Sequence, residues 1–335
     1  MRKKINPGIS RSYGRSSVYS CTFPVIPNKC MKEVPAVILK YRVTLCILLL
    51  LLFYFFPAAS CSRGTVQQEG LVIAVSIPPQ AWFVSQIAGD NAGTLVLVPP
   101  GQSPHNYEPT PRQIQSLASA SAWVLSGTEF EISLRPKIQS LFPNLPIIDG
   151  TGGARFRLLE EHEHSCDDHH SHSLEIDRHT WLGRENAILL AGHIRETLSG
   201  FDAANEALYR ERYENLVLEI EKTFNELRDV LSPLAEKSVF VYHPSFGYFF
   251  DEFFIHQVAV ETGGKEPTPR ELNNLIIRMN EERPAAIFVQ TQFPVNAART
   301  LAAASEAQVI ELDPLAYNWL ENIRLMGELL QKAIP

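Results

Sequence analysis

Cysteine is scarce, and its placement makes it scarcer still. Of five, Cys21, Cys30 and Cys46 fall before residue 60, leaving only Cys61 and Cys166 in the body of the chain. Two thiols cannot build a disulfide framework. Several catalytic signatures are also missing. There is no His-Glu-x-x-His, no Gly-x-Ser-x-Gly and no phosphate-cradling glycine loop, which removes the sequence support for a zinc hydrolase and for related enzyme classes. The longest apolar run, Val43 to Phe56, has fourteen residues, short of the roughly 20 that a membrane-spanning helix needs. Basic charge is short as well. Residues 1 to 60 hold nine of the thirty Lys and Arg but one of the thirty-seven Asp and Glu, so the remainder carries a formal net charge of −15. A body that acidic is a poor nucleic-acid binder and suits a cation.

The apolar run has a use of its own. Lys32, Lys40 and Arg42 precede it and Pro57-Ala58-Ala59-Ser60-Cys61 follows it. Basic flank, short greasy core and small residues mark an export signal. Translation is expected to start at Met31, with residues 1 to 30 as an upstream extension and 31 to 60 as the signal peptide. The Ala-Ala-Ser-Cys junction resembles a lipoprotein cleavage box, which would leave Cys61 lipidated and the protein on the outer face of a membrane or in a periplasm.

What the chain has in excess is histidine in one place. Glu161 to Leu182 contains His162, His164, His169, His170, His172 and His179, six of the ten histidines, interleaved with Cys166, Asp167 and Asp168. Imidazole, carboxylate and thiolate are the ligands of borderline divalent ions. The first five histidines lie in unpatterned sequence and read as an accessory metal-binding loop over residues 161 to 172. His179 stands where pattern resumes and reads as a fixed ligand.

From Leu71 onward, strand-like runs alternate with helix-like stretches, the rhythm of an α/β fold. Strands are expected at Leu71 to Ile77, Thr94 to Val98, Ala122 to Leu125 and Pro146 to Ile148, with helices between. Arg184 to Leu198 reads as a helix closed by Gly200. Asp202 is placed to cap a longer one, Ala203 to Leu231, whose apolar residues recur at spacings of three and four. The second half repeats the alternation, with strands at Ser238 to Tyr242, Gln257 to Glu261, Ala285 to Gln290 and Val309 to Leu312. The peptide Glu-Pro-Thr-Pro-Arg occurs at Glu108 to Arg112 and again at Glu266 to Arg270, each time before a helix with capping-box chemistry. The expected division is a leader (1 to 60), an N-terminal β/α lobe (61 to 201), a linking helix (202 to 233) and a C-terminal β/α lobe (234 to 335).

Four residues stand at the ends of expected strands or in the loops after them: His105, His179, His243 and Asp313. Their spacings of 74, 64 and 70 residues match no local metal motif. Their common position in the topology carries the inference, because ligands of open α/β sheets collect beyond the carboxyl ends of the strands. His193, in an apolar helical pattern, and His256, entering a strand, read as structural.

Pro104-His105-Asn106-Tyr107-Glu108-Pro109, Asp177-Arg178-His179-Thr180-Trp181-Leu182 after its His-rich loop, Val241-Tyr242-His243-Pro244, Glu266-Pro267-Thr268-Pro269 and Glu311-Leu312-Asp313-Pro314-Leu315 together resemble the solute-binding proteins of bacterial zinc and manganese ABC importers (cluster A-I) from about Leu71 to the C-terminus. The resemblance implies two lobes joined by a rigid helix, one metal ion in the interlobe cleft, and delivery to a membrane permease by a monomer without enzymatic activity. It makes His105, His179 and His243 the imidazole ligands and Asp313 the carboxylate position. Histidine at the third position resembles the zinc branch, Glu there being usual in manganese relatives; imidazole suits zinc and harder oxygen donors suit manganese. Arg178, Gly183 and Pro244 depart from the usual motif residues beside the ligands. The competing expectations are a manganese importer component, a metal-dependent surface adhesin and, least supported, a zinc hydrolase.

Overall fold

The computed structural model describes residues 70–159, 176–261, 267–284, 286–293 and 296–333. The leader, Cys61 and the histidines from His162 to His172 lie outside the described residues. Among the described residues no helix is long and apolar enough to cross a membrane.

The N-terminal lobe runs β1 (Leu71–Val75), α1 (Pro78–Ala88), β2 (Ala92–Val96), α2 (Pro111–Ser116), β3 (Ala122–Leu125), α3 (Glu129–Leu141) and β4 (Ile147–Asp149). All four strands are parallel, in the order β2-β1-β3-β4. Parallel sheets covered on both faces need apolar residues on both, and β3, Ala-Trp-Val-Leu, is buried throughout. Trp123 fits there because its indole N–H donates to Ser76 Oγ at 3.1 Å. Gln80 closes the β1–α1 turn. Its Oε1 accepts from Ser76 N and Ile77 N, and its Nε2 donates to Val124 O, so the polar groups at the strand ends stay paired without water.

Two helices join the lobes, α4 (Arg184–Phe201) and α5 (Glu206–Leu231). At about 1.5 Å per residue the 26 residues of α5 span roughly 40 Å, and Tyr209, Leu216, Ile220, Phe224, Leu227 and Leu231 form its buried stripe. Two details differ from the sequence expectation. Gly200 lies inside α4 rather than closing it. Asp202 makes no capping bond; its carboxylate accepts from Tyr209 OH at 2.5 Å and Asn205 Nδ2 at 2.7 Å. A nearby hydroxyl and amide competed for the oxygens that a cap would have used.

The C-terminal lobe runs β5 (Ser238–Val241), α6 (Gly247–Asp251), β6 (His256–Ala259), α7 (Pro269–Glu282), β7 (Ala286–Gln290), α8 (Asn296–Ser305), β8 (Gln308–Leu312) and α9 (Trp319–Lys332). Its parallel order, β6-β5-β7-β8, repeats that of the first sheet. The repeated pentapeptide sits at equivalent places, before α2 and before α7. Thr110 accepts from Gln113 N in one lobe and Thr268 from Glu271 N in the other.

One apolar core runs through both lobes, from Ile73 and Val124 through Phe224 and Leu227 of α5 to Phe249, Phe288 and Leu312. A second, smaller core around Phe240, Val258, Leu275 and Ile287 belongs to the C-terminal sheet alone. Helix α9 folds back, and Trp319 packs against Trp82 and Phe83 of α1 with ring centroids 6.0 and 5.1 Å away. The join is also hydrogen-bonded, by Trp181 Nε1 to Pro314 O (2.8 Å) and Trp319 Nε1 to Trp181 O (2.7 Å).

Candidate metal centre

His105 lies in the loop after β2, His179 just before the short turn that opens α4, and His243 just after β5. All three are therefore delivered to the carboxyl ends of the strands, where the two sheets face one another. One nitrogen from each ring lies within 4.8 Å of the others. Ring centroids are 5.3 Å (His105 to His179), 4.5 Å (His105 to His243) and 5.2 Å (His179 to His243) apart. Gln292 and Phe293 line the small pocket that the three rings share.

Each ring has a carboxylate behind it. His179 Nδ1 is 2.8 Å from Asp177 Oδ1, His243 Nδ1 is 2.5 Å from Glu261 Oε1, and His105 Nδ1 is 3.1 Å from Glu129 Oε2. At His179 and His243, where that contact is a hydrogen bond, the carboxylate holds the proton on Nδ1 and leaves Nε2 as a bare lone pair. His179 Nε2 and His243 Nε2 then face each other at 3.4 Å. Two lone pairs so placed repel unless a cation lies between them. Tetrahedral zinc with Zn–N of about 2.0–2.1 Å would set its ligand nitrogens about 3.3 Å apart.

The outer carboxylates are themselves fixed. Asp177, fully buried, accepts from His179 N and pairs with Arg157 Nη1 at 2.9 Å. Burial alone would raise its pKa, but the hydrogen bonds and charges of His179 and Arg157 bring it below the usual range. Burial likewise works against ionised Glu129, and the His105 ring overcomes it, taking the group down to about 2. The turn that presents Glu129 is pinned by Glu131, whose carboxylate accepts from Ser126 N, Ser126 Oγ and Gly127 N. In His243 burial dominates over the Glu261 hydrogen bond and lowers the pKa to about 4, so this ring is a neutral donor at ordinary pH.

Phe293 stacks on His243 (4.5 Å, 23°) and Trp181 packs beside His179 (5.4 Å). With Pro314 and Leu315 they give the pocket an apolar wall. Asp313 is not one of the three converging groups. Its Oδ1 accepts from Gln292 Nε2 at 2.7 Å and from Leu315 N at 2.9 Å. His193 and His256 stand apart, His193 Nε2 bonding Gly152 O and His256 Nε2 facing Glu236. Sequence reasoning missed Glu129, Glu261 and Gln292 altogether, and quoted Asp177 without giving it a role. Only Asp177, two residues before His179, carried a local signal.

Known proteins resemble this chain over most of its length. The family model for ZnuA, zinc-uptake complex component A periplasmic, matches residues 73–333. A crystal structure of ZnuA is 32% identical with a TM-score of 0.72, the match covering 79% of this chain and 100% of that one. The zinc-binding lipoprotein AdcA of Streptococcus pneumoniae is 25% identical over 262 residues, 76% of this chain and 52% of its own, so this chain spans about half the length of that relative. The manganese ABC transporter substrate-binding lipoprotein PsaA of Streptococcus mitis is 23% identical over 255 residues, 74% of this chain and 81% of its own. With the fold, the facing strand ends and the matched span in agreement, the chain belongs to the ZnuA family, among the cluster A-I solute-binding proteins of metal ABC importers.

Proposed function

We propose that the protein captures zinc outside the cytoplasm through His105, His179 and His243 and hands it to an ABC permease. The observation that supports this best is the pair of facing Nε2 atoms 3.4 Å apart, each with its Nδ1 held by a carboxylate. A nitrogen-only triad favours zinc over manganese, which prefers oxygen donors. Three neutral rings would leave the ion's charge to be balanced by Glu129, Asp177 and Glu261 one contact further out. The proposed setting is extracytoplasmic, with Cys61 lipidated and the protein acting as a monomer. The loop from His162 to His172 is proposed to gather ions loosely near the cleft.

Equilibrium dialysis against zinc and manganese tests the reading. The wild-type protein should hold one tightly bound zinc per chain and prefer it to manganese, and a His105→Ala, His243→Ala double variant should lose that ion. Deleting Glu161 to His172 should reduce total zinc while leaving the tight site. A double variant that still binds one zinc tightly would refute the assignment of the ligands, and a preference for manganese would refute the choice of metal.

A further inference from the structure

Gln292 lies just beyond the carboxyl end of β7, in the wall of the histidine pocket. Its Nε2 donates to Asp313 Oδ1 at 2.7 Å. Only the NH₂ end of an amide can face a carboxylate oxygen that already accepts from Leu315 N, so the orientation of the amide follows from chemistry. Its other end, Oε1, is shut away from solvent and has no hydrogen-bond partner. A buried carbonyl oxygen left unpaired is costly, and such an atom in a pocket wall calls for something to pair with. Asp313 meanwhile is engaged by two donors on one oxygen and is not among the converging groups.

From this we propose that Gln292 Oε1 supplies the oxygen at the fourth position of the bound ion, and that Asp313 is a positioning residue that holds the amide in place. The inference rests on the proposed role of the three histidines. It replaces an anionic fourth donor with a neutral one, so the ion meets no full negative charge among its immediate partners. An amide carbonyl gives an oxygen-preferring ion such as manganese less than a carboxylate would, so a neutral oxygen leaves the choice of metal to the three imidazoles, which suit zinc. Gln292 is thereby a determinant of selectivity. The plainer alternative, in which Gln292 only braces the Asp313 turn, predicts effects on stability and none on the metal.

The test uses the whole protein and three readouts: zinc affinity by competition with a chelator, the visible spectrum of the cobalt(II)-substituted site, and thermal unfolding without metal. Gln292→Leu should weaken zinc by at least about 10-fold and should alter the cobalt spectrum, which reports the ion's immediate partners. A Leu variant with wild-type affinity and spectrum overturns the proposal, whatever happens to its unfolding temperature. If the Leu variant does not fold, Gln292→Glu combined with Asp313→Asn decides the matter, because it turns an anionic oxygen toward the rings without setting two carboxylates side by side. That exchange should raise manganese affinity relative to zinc by at least about tenfold, and an unchanged ratio overturns the proposal. Failure of the wild-type protein to bind zinc at all would instead refute the histidine assignment itself, and this inference with it.

Discussion

The two sheets share strand order, direction and even a capping peptide, yet they do different work at the cleft. The N-terminal lobe contributes His105 and His179 with Glu129 and Asp177 behind them. The C-terminal lobe contributes His243 with Glu261, and faces the same gap with Gln292 and Asp313. The strand ends are equivalent, but the side chains on them are not. A repeated scaffold therefore fixes where ligands gather, and the loops decide which ligands they are. The lobes also differ in their interiors, since the second has an apolar cluster of its own while the first shares its core with the linking helices.

The largest expected effect comes from breaking the division of ligands. His179→Ala from one lobe and His243→Ala from the other should each weaken zinc by more than the ~100-fold upper range for an outer-sphere change, read by chelator competition. Equal losses would mean that the lobes contribute on a par. Next is the clamp between the lobes. Arg157 pairs with buried Asp177 on one side and reaches Asp251 at 3.0 Å on the other. Arg157→Ala leaves a buried carboxylate without its cation and should cost about 3 kcal/mol in thermal unfolding. Gly247 belongs to the same clamp, because a Cβ there would fall 1.7 Å from the Arg157 guanidinium.

Glu261→Gln should raise the zinc Kd about 10- to 100-fold, by loosening the Nδ1 proton of His243 without removing a ligand. A comparable loss in Asp177→Asn would extend the symmetry between the lobes to the outer carboxylates. The pH response of the metal-free protein is smaller. His243 ionises at about 4 when folded, against an ordinary 6.5, so between those values the unfolded chain holds more protons. Stability is then full above pH 6.5 and falls as pH drops toward 4; His243→Gln should flatten that slope in chemical denaturation. Smallest are the caps. Thr110→Ala and Thr268→Ala should each cost about 1 kcal/mol, and a clear difference between them would show that the shared peptide is used unequally.

Much of the architecture was legible in the chain. Ala122 to Leu125 and Gln290 as the last residue of β7 match the observed strands, because short apolar runs bounded by turns leave little choice. Gly200 and Asp202 misled because both are residues that often end or begin helices: Tyr209 and Asn205 took the Asp202 oxygen, while Gly200 lies exposed in the last turn with nothing packed on it. The three rings could be nominated because strand ends are predictable from pattern. Their carboxylate partners could not. Glu261 lies 18 residues after His243 and Glu129 lies 24 after His105, in elements whose neighbours are set only once the sheets form. Asp313 was nominated as a ligand from its strand-end position, but its hydrogen bond from Gln292 depends on two loops meeting in space.

The uninterrupted core beneath both lobes, closed off by Trp319 folding back onto α1, sets a limit on how cargo can leave. Large hydrophobic joins resist hinge motion, so a wide yawning of the cleft would have to tear oil from oil. On the proposed reading, release of the ion falls to the rim, where Phe293 and Pro314 line the ring pocket, and a docking receptor would act there while the body beneath stays still.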